Sequence, residues 1–106
     1  MRIIPLSAIP NQTLNAILGG QDCALAVYWR QDRLYLDLVC NGHAIVVGAI
    51  CENRANVLQS EQLYFKGSLH FFDMQGDRPP LFEGLGSRWF LLFVDEGETV
   101  PESLRF

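Results

Sequence analysis

The chain has 106 residues, 49% of them hydrophobic and only 19% charged, with a net charge of −4. That length holds one domain, long enough to bury a core without disulfide or metal staples, and the hydrophobic fraction excludes a disordered chain. Twelve acids stand against eight bases, and Lys66 is the sole lysine, which argues against a nucleic-acid backbone or an anionic membrane as partner, since both call for clustered cations.

The chain opens on IPLSAIPNQTL, residues 4–14. Arg2 gives a basic start, but Pro5 and Pro10 interrupt the apolar centre that a secretory signal requires. No other segment approaches the roughly 18 consecutive apolar residues of a membrane span. The stretch is therefore expected inside the folded domain, as an edge strand and its turn. Prolines do no harm there and discourage stray pairing.

NQTLNAILGG, residues 11–20, fits two patterns. As a helix it has Asn11 as N-cap, Leu14, Ile17 and Leu18 on one face, and Gly19 as terminator. As a strand it puts Leu14, Ala16 and Leu18 on one face and turns at Gly19-Gly20. The β-rich run that follows favours the strand. In that run, CALAVYWR (23–30), Cys23, Leu25, Val27 and Trp29 share a face. RQDR (30–33) is a polar break. LYLDLV (34–39) sets Leu34, Leu36 and Leu38 against Tyr35 and Asp37, the period-two pattern of a half-buried strand. Asn41-Gly42 is a strong hairpin signal. AIVVGAI (44–50) reads as the return strand, with Gly48 marking a bulge or a close backbone approach.

Further along, QLYFKGSLHFFD (62–73) reads as strand, kinked or divided at Lys66-Gly67, with a turn at MQGD (74–77). RPPLFEGLGSR (78–88) holds too many prolines and glycines for a long regular element. RWFLLFV (88–94) is almost wholly apolar and predicts a central strand covered on both faces. The fold expected is all-β: a small antiparallel β-barrel or sandwich of about six to eight short strands with at most one short helix. Residues 1–94 would form this single domain. Residues 95–106 would form an acidic C-terminal tail, mobile apart from its apolar end.

The search for chemistry returns little. Cys23, Cys40 and Cys51 are an odd set, expected as buried thiols of a protein made in a reducing cytosol. His43 follows a hairpin turn and His70 lies in a strand, neither in a catalytic context. There is no C-x-x-C or H-x-x-x-H for zinc. Asp73 and Asp77 lack the ligand ladder of a calcium loop and instead predict a turn fixed by aspartate side chains and Gly76. Gly19-Gly20 and EGLG (83–86) lack the lysine and hydroxyl of a phosphate loop. GSR (86–88) lacks the glycine spacing of a nucleophile elbow. No enzyme, metal or cofactor is expected. One alternative is a small barrel whose Trp29, Tyr35, Tyr64, Phe72 and Trp89 stack single-stranded nucleic acid or glycan, although such platforms normally come with basic grooves.

The order of short motifs carries a resemblance. Ile4-Pro5-Leu6 and Pro10-Asn11-Gln12 are followed by Gly19-Gly20-Gln21, Trp29-Arg30, Tyr35–Leu38 and Gly42. Later come Gly67 with Leu69, Asp73 with Gly76-Asp77, Pro79-Pro80 and Leu85-Gly86, ahead of the last apolar strand. Over roughly residues 4–94 this series resembles the baseplate plug proteins of contractile-tailed phages and prophages, described for a cyanophage baseplate. Residues 51–62 and the tail from Asp95 carry no matching motif. The resemblance implies a non-enzymatic structural component at the baseplate centre, made in the bacterial host cytoplasm and built into the virion tail. It implies as partners other tail and baseplate proteins (hub, tube or spike), with no nucleic acid, membrane or cofactor.

The N-terminal segment is the expected assembly interface, through Ile3, Ile4, Leu6 and Ile9 with Asn11 and Gln12. No charge occurs between Arg2 and Asp22 to guard this apolar edge, so a neighbouring subunit would cover it by strand addition or apolar packing.

Overall fold

A computed structural model describes residues 1–58 and 64–99. Its strands are β1 (Arg2–Ile4), β2 (Asn11–Leu18), β3 (Gln21–Arg30), β4 (Arg33–Cys40), β5 (His43–Ile50), β6 (Ser68–Asp73) and β7 (Trp89–Val94), with one 3-10 turn at Phe82–Gly84. The architecture is all-β, as expected. Strands β2-β3-β4-β5 form one antiparallel sheet in sequence order, and β1-β7-β6 form a second.

The first sheet is made by three two-residue hairpins. Gly19 and Gly20, Gln31 and Asp32, and Asn41 and Gly42 all have positive φ, the backbone twist that matches a right-handed strand pair. Residues 11–18 form a strand and not a helix. All eight of them pair with β3, from Asn11 opposite Tyr28 to Leu18 opposite Gln21, and their exposure alternates along the strand. Gly48 is a bulge: the β4–β5 register slips between Leu36 opposite Ala49 and Leu38 opposite Val46, and Gly48 itself has φ +69°.

The two inner faces meet in one core. Leu25, Val27, Leu34, Leu36 and Leu38 pack against Ile4, Leu69, Phe71, Leu91 and Phe93. Cys23 and Cys40 face each other across the β3–β4 ladder, and with Cys51 they are buried free thiols. Burial pushes all three thiols above their ordinary range.

The chain changes sheets at two corners. Residues 5–10 carry it from β1 to β2. Residues 51–57 carry it from β5 to the side of β6: Cys51 N–H donates to the Leu34 carbonyl at 2.9 Å, Arg54 N–H to Phe71 at 2.7 Å and Val57 N–H to Leu69 at 2.8 Å. Strands that bend from one sheet to the other are how a sandwich turns its corners.

β7 is the central strand of its sheet, but the expectation that both its faces are covered is corrected. Trp89, Leu91 and Phe93 point into the core, while Phe90 and Leu92 are only half-buried. Arg54 lies over the Phe72 ring at 5.8 Å, yet toward β1 the outer face stays open, with Ile3 56% exposed. The long apolar run thus reflects one core face and one unfinished face.

In 62–73 the strand begins only at Ser68. Gly67 breaks it, at φ +111° and so close to Phe93 that a Cβ would sit 2.6 Å from the ring. Gln62 and Leu63 lie outside the described residues. Residues 95–98 form a turn held to the N-terminus: the Met1 ammonium pairs with Glu98, and Asp95 N–H donates to the same carboxylate at 2.7 Å. Residues 100–106 of the expected tail lie outside the described residues.

Gly84 lets the 3-10 turn lie flat on Trp89, since a Cβ there would come within 2.4 Å of the indole. Gly84→Ala is expected to destabilise the domain by about 1–3 kcal/mol, the usual cost of overpacking, read in urea unfolding followed by tryptophan fluorescence.

Candidate assembly surface

The corner between β1 and β2 is built by backbone clamps. The Gln12 side-chain amide donates to the Ser7 carbonyl at 2.7 Å, and Ser7 N–H donates back to its oxygen at 2.9 Å. The Pro10 carbonyl accepts from Trp29 N–H at 2.8 Å, and Arg2 Nη1 donates to the Ile17 carbonyl at 2.6 Å. Gly86 makes room for the corner: it has positive φ, and a Cβ would sit 2.8 Å from the Leu6 carbonyl. These contacts satisfy polar backbone that a chain leaving one sheet for another would otherwise strand.

The corner frames a shallow apolar groove of about 210 Å³ lined by Ile3, Pro5, Leu6, Trp89 and Phe90. Ile3 pairs with Leu92 in the β1–β7 ladder. Of the six residues expected to form the interface, Ile3 and Ile9 (45%) are exposed, Asn11 is exposed on β2, and Leu6 is half-buried. Two are corrected. Ile4 is 1% exposed and belongs to the core, because strand alternation turns it away from Ile3. Gln12 is engaged in the clamp on Ser7.

The floor of the groove rests on Trp89 and the turn behind it. Trp89 indole N–H donates to the Arg78 carbonyl at 3.1 Å. The buried Asp73 carboxylate takes Arg88 in a two-pronged pair at 2.7 and 2.9 Å and accepts N–H groups of Gln75 and Arg78. Asp77 accepts from the Asn53 amide at 2.6 Å. The turn is fixed by aspartates as expected. Its main partner, Arg88, went unmarked in the sequence because the pair is 15 residues apart.

The aromatics of the alternative stacking platform are not brought together. Trp89 is buried, and Trp29 meets Phe82 edge-on at 5.3 Å. Tyr64 stacks on His43 at 4.0 Å, Phe72 lies under Arg54, and Tyr35 stacks on Tyr28 at 6.0 Å. Sequence reading missed Tyr28, whose hydroxyl donates to Asp37 at 2.9 Å beside the Gly48 N–H on the same oxygen at 2.7 Å. The bulge glycine was its only signal. Among the described residues no group of three histidine, cysteine or acidic side chains is placed to hold a metal ion.

Fold and surface together describe a small all-β structural module with an uncharged, apolar flank left open. The family model for the cyanophage Pam3 baseplate plug gp18 matches residues 1–96. The chain belongs to that family, and is thereby a structural component of phage baseplates that assembles with other baseplate proteins in the virion. No curated protein shows significant similarity to it. The motif residues now have physical roles. Gln12 closes one corner, and Gln21 repeats the device on Lys66, donating to its carbonyl at 3.0 Å and accepting its N–H at 2.8 Å. Asp73 organises the turn, and Gly86 admits the N-terminal link.

Two buried groups make stability depend on pH. His70 is held between the Arg54 carbonyl at 2.6 Å and Ser68 Oγ at 2.8 Å. Burial pushes its imidazole below the ordinary 6.5, against a smaller raising effect of the Arg54 bond. Arg88 holds the Asp73 carboxyl far below the ordinary 3.8, helped by the two amides and opposed by burial. In both cases the unfolded chain takes up the proton first, so acid favours unfolding. The melting temperature is expected to fall as pH drops below 6.5, and to fall again below 3.8. His70→Gln should remove the first decline. Asp73→Asn should remove the second and cost about 3 kcal/mol at neutral pH, since it breaks a buried ion pair. Calorimetry across pH checks both.

Proposed function

We propose that the protein is a non-enzymatic plug at the centre of a phage baseplate, held there by its N-terminal flank against hub, tube or spike proteins. The observation that carries this reading is the apolar surface of the β1–β2 corner: Ile3 stands exposed beside the half-buried Phe90 and Leu92, and Ile9 stands exposed in the link to β2, in a stretch without a charge from residue 3 to residue 21. Permanent assemblies bury such surfaces, because their interfaces resemble a domain core cut in half. Family membership supports the setting.

Mixing the protein with hub, tube or spike proteins of its own phage should give a complex that survives high salt, because apolar contact is not screened by ions. Binding to oligonucleotides alone, weakening steeply with salt, would instead favour the stacking alternative. Replacing Ile3 and Ile9 together with serine should leave unfolding of the isolated domain within about 1 kcal/mol of wild type, as for exposed sites, while abolishing incorporation into tails. Ile4→Ser should unfold the domain outright or lower its melting temperature sharply. A large loss of stability in the Ile3/Ile9 variant would show that those residues serve the domain's own core.

A further inference from the structure

The three buried cysteines are not equivalent. Cys23 and Cys40 stand directly opposite each other across β3 and β4, and both belong to the core. The hairpin decides what kind of pair they are. The ladder has eight pairs in unbroken register, with Arg30–Arg33 at one end and Cys23–Cys40 at the other. Arg30 and Arg33 close the two-residue Gln31-Asp32 turn, so they are a hydrogen-bonded pair, and the two kinds of pair alternate from there. Cys23 and Cys40 are therefore a non-hydrogen-bonded pair. The next step along agrees, since Asn41 N–H donates to the Asp22 carbonyl at 2.9 Å. Residues opposed in a non-hydrogen-bonded pair lie about 4.5 Å apart at Cα, with their side chains drawn together, which is within disulfide reach.

The surroundings suit a bond there. On its other side Cys23 faces Ala16 of β2, a small residue that leaves the sulfurs room. Burial raises both thiols. After burial each acts on the other, Cys40 lowering Cys23 and Cys23 raising Cys40 further, so Cys23 is the one that ionises first. Cys51 stands apart. Its N–H bonds the Leu34 carbonyl, six strand residues from Cys40, or about 20 Å.

We propose that Cys23 and Cys40 are a modification site: a cross-strand disulfide that closes once the protein is outside a reducing cell and fastens the open end of the β3–β4 hairpin, with Cys51 left as a free thiol. A virion component works in that oxidising setting. The inference needs only this setting and not a place at the baseplate centre. A peroxide is small enough to reach a packed pair through local opening at the strand end. The Cys23 thiolate attacks one peroxide oxygen, the O–O bond breaks and hydroxide leaves, giving a sulfenic acid. The Cys40 sulfur then attacks the Cys23 sulfur, the S–O bond breaks, the Sγ–Sγ bond forms and water leaves. Two thiols lose two electrons and two protons, and the peroxide becomes two waters.

The test exposes the folded, reduced protein to dilute hydrogen peroxide, then alkylates it in denaturant and maps it by mass spectrometry. The expected product has lost two hydrogens, carries alkyl label only on Cys51, and yields a linked pair of peptides containing Cys23 and Cys40. Cys51→Ala should react in the same way, whereas Cys40→Ala should form no internal bond. The bonded protein should melt roughly 5 °C or more above the dithiothreitol-treated one, because the bond restricts the unfolded chain. Virions alkylated without reductant should give the same linked peptides. Three free thiols after peroxide, or a bond that involves Cys51, would overturn the inference. So would a bonded form that melts below the reduced one, or a bond that forms in the isolated protein and is missing from virions. The wild-type peptide map decides the pairing even if a variant fails to fold.

Discussion

Backbone hydrogen bonding at the sheet edges governs this fold. A two-sheet sandwich buries its side chains easily, but a chain that leaves one sheet for the other must satisfy each N–H and C=O it takes out of a ladder. The protein meets this demand with side-chain amides and with chain laid along chain. Gln12 embraces both backbone groups of Ser7, Gln21 embraces those of Lys66, and Asn56 accepts the amides of Leu58 and Leu69. Residues 51–57 close the β6 edge directly. Where these devices are present the edge is finished. Where they are missing, along β2, the molecule is open.

The same constraint explains where the few polar side chains went. With 19% charged residues the chain has little polarity to place, and much of it works inside. Asp73, Arg88, Asn53 and Asp77 form one connected network behind Trp89. Asp37 gathers Tyr28 and the bulge amide. His70 is locked between Arg54 and Ser68. The outward face near β1 is left apolar, which suits a component that works by contact with other chains.

The open flank is therefore not a defect of core formation. Ile3 and Ile4 are neighbours with opposite fates, one 56% exposed and one 1% exposed, because successive strand residues point to opposite faces. The apolar run of β7 divides the same way. An apolar segment in this protein supplies the core with every second residue and leaves the others toward the surface.

The sequence by itself determined the β class, the meander of residues 23–50 and its Asn41-Gly42 turn, the buried faces of β3 and β4, and the bulge at Gly48. All of these follow from period-two alternation and from residues that tolerate positive φ, which are local properties. Motif order alone also pointed to the baseplate family. It did not separate helix from strand at residues 11–18, where both periods fit until β3 supplied a ladder. It marked residues 30–33 only as a polar break and not as a two-residue turn, since Gln31-Asp32 lacks glycine, and it did not divide Ile3 from Ile4. Nor did it show that Gln12 and Gln21 are clamps, that Asp73 answers Arg88, or that the five aromatics lie apart. Those depend on which distant segments meet, and only the packing of the two sheets decides that.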